Sequence, residues 1–196
     1  ETDLAKVLLR QRVMRDVSVR EHATEVLGQK LSMPVILGPV GLAGMFATRA
    51  EVQAARAAEA AGVPFTESTV SICSIEEVAE ATSVPPWFQL YVMRDRGYAE
   101  KLMARAEAVG APVLALTIDL AVVGARHRDT RNGMGDSPTR VAQLRRGLDL
   151  VSHPGWVRRV PIAGKPLTFG NLAEVVPGAR TPEDVREWVD AQFDLS

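Results

Sequence analysis

The sequence predicts an α/β fold: four consecutive parallel strand–helix units in the manner of a (β/α)8 barrel rather than an open doubly wound sheet. Three observations predict it. Apolar, strand-like stretches begin near residues 35, 64, 87 and 113, at intervals of about 29, 23 and 26, with helix-forming stretches between them. Polar side chains (Ser, Gln, Tyr, Thr, Asp) stand at or near the strand exits, so neighbouring strands converge on one place, which is the habit of a barrel. No G-x-G-x-x-G follows the first strand, which argues against a dinucleotide-binding unit in an open doubly wound sheet.

Composition sets the bounds. The chain has 196 residues, 46% hydrophobic and 24% charged, with a formal net charge of −1. That is long enough for one domain with a sizeable core, and it carries no global pull toward nucleic acid. Cys73 is the single cysteine, which excludes an internal disulfide and a cysteine-based metal cluster and suits core packing. No apolar run is long enough to span a bilayer, and no signal peptide is visible. Residue 1 is Glu rather than Met, and the chain is expected to lack its natural start.

Residues 1–30 read as a charged, weakly patterned arm, and the isolated His22 in it has no assigned role. Strand one is expected over 31–40, with Met33-Pro34 at its entry and Gly38-Pro39-Val40-Gly41 at its exit. Glycines there form a tight turn or let the backbone come close to a flat ligand. Thr48-Arg49-Ala50-Glu51 matches a capping box before an Ala-rich helix over 52–61, which Gly62 ends. Strand two covers 63–69, with Thr66 and Ser68 on one face. A second capping box, Ser74-Ile75-Glu76-Glu77, opens a short helix through Ala81. Strand three covers 87–92, with Gln89 and Tyr91 sharing a face. Asp95 caps a helix to about Val109, and Gly110 closes it.

Strand four, 114–119, is apolar enough to be covered on both faces, and Thr117 and Asp119 project the same way at its carboxyl end. Ligands sit at that end in α/β folds. A carboxylate there, with the Arg126 guanidinium seven positions on, suggests a site for a polar, anionic small molecule; a turn-capping role for Asp119 is the plainer alternative. Roughly 75 residues then follow without a convincing fifth strand, a length that is usually functional or mobile. Ser137-Pro138 reads as the start of a helix to about Val151, and Thr181-Pro182 as the start of another to Phe193. Between Arg140 and Lys165, six basic residues face a single acid, Asp149, with Leu144, Leu148, Trp156 and Val160 among the apolar residues between them. On composition alone this suits a docked loop with a solvated basic face better than a membrane-binding segment.

Gly38-Pro39-Val40-Gly41, Ser68-Thr69, Ile75-Glu76-Glu77-Val78-Ala79, Trp87-Phe88-Gln89-Leu90-Tyr91-Val92, Thr117-Ile118-Asp119 and Gly124-Ala125-Arg126 together resemble the FMN-dependent L-2-hydroxy-acid dehydrogenase and oxidase family over essentially the whole chain. Leu9-Arg10-Gln11-Arg12, Lys30-Leu31-Ser32-Met33-Pro34 and the run from Gly124 to Asp129 look most like its bacterial respiratory L-lactate dehydrogenase branch; mandelate dehydrogenases and glycolate oxidases are more distant.

The resemblance implies a (β/α)8 barrel with 31–126 as its first half and 127–196 as an extended fourth loop. It implies FMN as cofactor, a small 2-hydroxy acid as substrate, a quinone or cytochrome as electron acceptor, homo-oligomeric assembly, and peripheral attachment at the cytoplasmic face of the inner membrane. For the basic loop it reverses the compositional preference in favour of membrane contact. By position, Pro39, Val40 and Gly41 would lie along the flavin, and Ser68, Gln89 and Thr117 would hydrogen-bond its polar edge. Tyr91 would orient substrate, Asp119 would pair with a histidine base, and Arg126 would hold the substrate carboxylate. No metal is implied. The catalytic histidine, a lysine and a second arginine belong to later strands in the family, and His127 and His153 stand in the wrong context to replace that base. This polypeptide alone is therefore expected to be inactive. Gly38 and Glu67 depart from the family pattern, Glu67 standing where an apolar residue is usual. A non-catalytic half-barrel that binds a membrane or a partner is the reading of another class.

Overall fold

The computed structural model describes residues 2–118, 127–128 and 140–173, with backbone alone at 142, 143, 145 and 146. Asp119, Arg126, the start of the helix expected from Ser137 and the whole of the one expected from Thr181 lie outside the described residues. Three parallel strands form the centre: β3 (Thr66–Ser68), β4 (Trp87–Tyr91) and β5 (Leu114–Thr117), in the spatial order β3-β4-β5. Helices α1 (Ala50–Ala61), α2 (Ile75–Glu80) and α3 (Arg96–Ala108) intervene. The strands are short but pair in register, with Ser68 opposite Gln89 and Tyr91 opposite Thr117. Parallel βαβ units in sequential order are what the recurring spacing predicted for units two to four.

Strand one differs from expectation. Leu31 closes an antiparallel hairpin instead, β1 (Thr24–Val26) with β2 (Gln29–Leu31), turning through Leu27 and Gly28 at positive φ. Of the stretch 31–40, only Leu37 pairs with the sheet, donating its N–H to Pro64 O and accepting from Thr66 N. Pro39 has no N–H to continue the ladder on one side of Leu37; on the other, Val35 N–H turns to Met33 O and Pro64 of the partner stretch has none to give. The hairpin is tied to the strand entries: Trp87 Nε1 donates to Gln29 Oε1 at 2.8 Å, and Ser32 N donates to Gly62 O at 2.9 Å.

The helix caps divide in the same way. Ser74 Oγ accepts from Glu77 N, Asp95 Oδ1 accepts from Tyr98 N, and Gly62 ends α1 at φ 67, as read. The box at Thr48 does not form. Arg49 is left-handed at the α1 N-cap and makes no side-chain cap, while the Thr48 hydroxyl donates to Arg159 O at 2.7 Å. Glu51 turns inward and is buried. Its Oε1 accepts from Gly44 N and Ile72 N, and its Oε2 accepts from the Cys73 thiol. Three buried donors outcompete one exposed cap. Burial, with the Glu51 carboxylate beside it, pushes the Cys73 thiol up to about 12, so Cys73 is an inert core residue.

The core lies between the sheet and its helices. Phe88 and Leu90 pack against Ile75, Met93, Tyr98 and Leu102, and Phe169 and Leu172 join them from the end of the long segment. That segment carries α4 (Arg140–Ser152), α5 (Pro154–Val157) and a π-helical turn at Arg158–Ile162. Trp156 Nε1 donates to Met45 O at 3.1 Å and holds its end to the body.

Glu67 is fully buried on the helix side of β3, where its alternation with Ser68 put it. Neither carboxyl oxygen has a hydrogen-bond partner among the described residues. Burial pushes this carboxyl well above its ordinary 4.5 and Glu51 pushes it further; Ser71 and Arg49 oppose the shift, but the Ser71 hydroxyl donates to Cys73 O. A raised folded pKa means that Glu67 costs least below pH 4.5, and that stability falls as pH climbs from there through the folded value. Glu67→Leu should therefore stabilise the protein by about 1–3 kcal/mol at pH 4, where the neutral carboxyl is still unpaired, and by more at pH 7. Denaturant melts at the two pH values check it, and an equal gain at both would be the wrong outcome.

Candidate functional site

The carboxyl ends of β3, β4 and β5 bring Ser68, Gln89, Thr117 and Tyr91 to the sheet face opposite Phe88 and Leu90. Alternation decides this: two-residue periodicity sends Ser68, Gln89 and Tyr91 one way and Glu67, Phe88 and Leu90 the other. Ser68 and Gln89 are buried, and Tyr91 and Thr117 are half-buried.

The polar groups form one directed row. The Ser68 hydroxyl donates to Gln89 Oε1 at 3.2 Å, and Gln89 Nε2 donates to Thr117 Oγ1 at 2.7 Å. Ser68 Oγ accepts from Val70 N, and Gln89 Oε1 accepts from Thr69 N as well. With its oxygen accepting, the Thr117 hydroxyl keeps its own proton for a further acceptor. The row is neutral throughout. It can serve mixed donors and acceptors on a polar ligand edge without bringing in a charge.

Gly41 meets the row from the first unit. A Cβ on it would lie 2.7 Å from Val70 Cγ2 and 3.9 Å from Ser68 Oγ, so only glycine lets this backbone come so close. Leu42 N donates to Val70 O at 2.9 Å and fixes the loop there, leaving Pro39 and Val40 exposed beside it. Seven of the nine expected site residues are thus described, and Gly41, Ser68, Gln89, Thr117 and Tyr91 gather at one end of the sheet. The other two, Asp119 and Arg126, lie outside the described residues.

Thr69 was missed by the sequence reading. Its hydroxyl donates to Gln89 O and accepts from Tyr91 N at 3.1 Å, strapping β3 to β4 one residue beyond the ladder. Its place directly after Ser68 was the available signal. Asn171 was also missed: its side chain bonds Ser68 O, Ser71 Oγ and Ile75 N, partners about a hundred residues away that no local pattern reveals.

A groove of about 620 Å³ lies elsewhere, between the α2 N-terminus and residues 166–173. Its charges are matched. Arg49 pairs with Glu77, and Arg105 grips Glu76 at 2.7 Å through both Nε and Nη2, holding that carboxyl below its usual range. We therefore regard these pairs as bracing the helices. Among the described residues, no cluster of His, Cys, Asp or Glu could hold a metal ion.

The sequence profile of FMN-dependent dehydrogenases matches residues 1–196. An L-lactate dehydrogenase of Xanthomonas oryzae pv. oryzae is 50% identical over 195 residues, covering all of this chain and 50% of that protein. One from Vibrio parahaemolyticus is 48% identical, covering 99% of this chain and 50% of the relative. The chain spans about half the length of the curated relatives it matches. Among solved structures, the monotopic membrane protein (S)-mandelate dehydrogenase superposes with a TM-score of 0.82 at 35% identity, over 93% of this chain and 48% of its own. A mandelate oxidase with (S)-4-hydroxymandelic acid gives 0.62 at 37% identity, over 67% of this chain and 37% of that one.

Thr69→Val should take the hydroxyl acceptor away from Tyr91 N, while Gln89 O keeps its bond from Thr69 N, and cost about 1–3 kcal/mol. Amide exchange at Tyr91 should accelerate while α1 stays protected. Unchanged exchange there would remove the strap from the account.

Proposed function

The chain belongs to the FMN-dependent dehydrogenase family, and from that premise we propose that it is the N-terminal half of an L-lactate dehydrogenase built on a (β/α)8 barrel. Residues 1–30 are its arm, 31–126 the first half of its barrel and 127–196 its extended fourth loop. One observation carries the reading: a neutral, directed hydrogen-bonding row, Ser68–Gln89–Thr117, spans three parallel strand ends with the Gly41 backbone against it. The 47–50% identity to L-lactate dehydrogenases, against 35–39% to mandelate enzymes, favours L-lactate over mandelate as substrate.

FMN is the cofactor of this family, and the residues present fit it. A flavin's polar edge offers carbonyl oxygens and a ring N–H, which the Thr117 proton, the Gln89 amide and the Ser68 oxygen can answer. The glycine at 41 allows the backbone at Pro39, Val40 and Gly41 to lie flat along a ring system. When bound, FMN takes up the two electrons that leave the substrate's C2.

The remaining work falls to side chains. The Tyr91 phenol donates to the substrate and orients its 2-hydroxyl and carboxylate. Arg126 holds the carboxylate with a fork of donors. Asp119 pairs with a histidine from a later strand and stabilises its imidazolium once it has taken the hydroxyl proton. A quinone or cytochrome then collects the electrons. The complete enzyme is a homo-oligomer attached peripherally to the cytoplasmic face of the inner membrane.

Helix α4 supports the attachment. Val141, Leu144, Leu148 and Val151 recur at helical spacing and are 61–79% exposed, and Arg140 at the start of α4 and Arg158, Arg159 and Lys165 in the segment after it are exposed too. An apolar stripe flanked by basic residues suits an anionic bilayer surface. Among the described residues, no helix is long and apolar enough to cross a membrane.

In the full-length enzyme, Gln89→Leu should lower FMN affinity about tenfold. Tyr91→Phe and Arg126→Ala should cut kcat/KM for L-lactate at least tenfold (about 1.4 kcal/mol) with near-normal flavin content. Loss of FMN with intact substrate kinetics in either of the last two would reverse the assignment. Leu144→Asp combined with Leu148→Asp should release the enzyme from anionic vesicles while dye-linked turnover persists; continued co-sedimentation would count against the membrane role.

A further inference from the structure

We propose that Asn171 is a positioning residue for the flavin-facing row, holding Ser68 from behind; this rests on the flavin reading given above. Ser68 is anchored from two sides. Its hydroxyl belongs to the row, whereas its carbonyl points back and accepts from Asn171 Nδ2 at 3.0 Å. The same amide nitrogen donates to Ser71 Oγ at 3.0 Å, and Oδ1 accepts from Ile75 N at 2.8 Å. One fully buried carboxamide therefore holds the last residue of β3, the loop after it and the first N–H of α2.

The chemistry selects the residue type. Two hydrogens meet two acceptors and one oxygen meets one donor, so an Asn side chain is used to near capacity. Asp would set an oxygen against Ser68 O and Ser71 Oγ, and Gln would be one methylene too long for a site packed this closely. The main chain at Asn171 is held as firmly: its carbonyl accepts from the Tyr98 hydroxyl and from Arg105 Nη1. Gly170 lets the chain come in close, since a Cβ there would collide with Ser74 N. Phe169 and Leu172 pin both sides of the pair into the core.

The strut arrives from far along the chain. Asn171 follows Ser68 by 103 residues, on the same long segment that carries the exposed stripe of α4. Without the carboxamide, three buried polar groups lose a partner together, and β3 is only three residues long, with a short ladder to resist.

The test uses the full-length enzyme, apo and FMN-loaded, with Asn171→Ala, Asn171→Ser, Ser68→Ala and, as a packing control, Leu172→Ala. Both Asn171 variants should weaken FMN binding about tenfold or more, measured by quenching of flavin fluorescence, and should shift the bound flavin's visible band. In the FMN-free protein, amide exchange at Thr69 and Val70 should accelerate at least about tenfold while α1 is unchanged. Leu172→Ala should lower Tm yet leave the FMN Kd within about threefold. Normal exchange at Thr69 and Val70 in either folded Asn171 variant overturns the proposal, as does a Leu172→Ala loss of FMN affinity equal to that of Asn171→Ala. Unchanged FMN binding in the Asn171 variants alongside weakened binding in Ser68→Ala overturns the positioning role alone. Unchanged binding in Ser68→Ala overturns the flavin reading and the proposal with it. Should Asn171→Ala fail to fold, Asn171→Ser and the exchange measurement decide.

Discussion

Ser68, Gln89 and Thr117 touch because β3, β4 and β5 run parallel in a register that brings their carboxyl ends nearly level. A shift of one residue in either pairing would send Gln89 toward the helices and bring Phe88 to the ligand face. The ladder itself is short, so the register needs other support. The Thr69 strap supplies some of it from the loop, and Phe88, Leu90 and Leu102 supply more from the helix side.

The two sides of this sheet treat polarity differently. On the ligand face the groups are neutral, and the hydrogen bonds of the row all point one way, from Ser68 through Gln89 to Thr117. On the helix side the groups are charged and braced: Arg49 with Glu77, Arg105 with Glu76, and Glu51 against two backbone amides and a thiol. That division suits a flavoenzyme, because a fixed charge beside the cofactor's polar edge would bias its electron affinity, whereas charge pairs behind the sheet only fasten helices. Glu67 breaks the rule, as a buried carboxyl with neither oxygen partnered among the described residues.

Much of this was legible because it is local. Alternation placed Ser68, Gln89, Tyr91 and Thr117 on one face; Ser74 and Asp95 announced two helices; Gly62 stopped a third. Each depends on a few neighbouring residues and on backbone geometry that any context would impose. Strand one fails for want of donors: Pro39, and Pro64 on the stretch beside it, have no N–H where a ladder needs one. The capping box at Thr48 failed for a distant reason, since Glu51 found Ile72 and Cys73 and Thr48 found Arg159. The roles of Asp119 and Arg126 came from family likeness, and they remain proposals.

By itself the sequence determined the alternation of units, the polarity of each strand exit and the family whose motifs those exits spell. Tertiary structure alone decided which polar groups became partners. Asn171 reaches Ser68 across 103 residues, Trp156 reaches Met45 across 111, and Glu51 leaves a helix start for the core. The physical reason is that a periodic pattern tells only which side of an element a residue faces. Which group waits on that side depends on packing between elements distant in the chain, and buried donors and acceptors must find one another there or go unpaired.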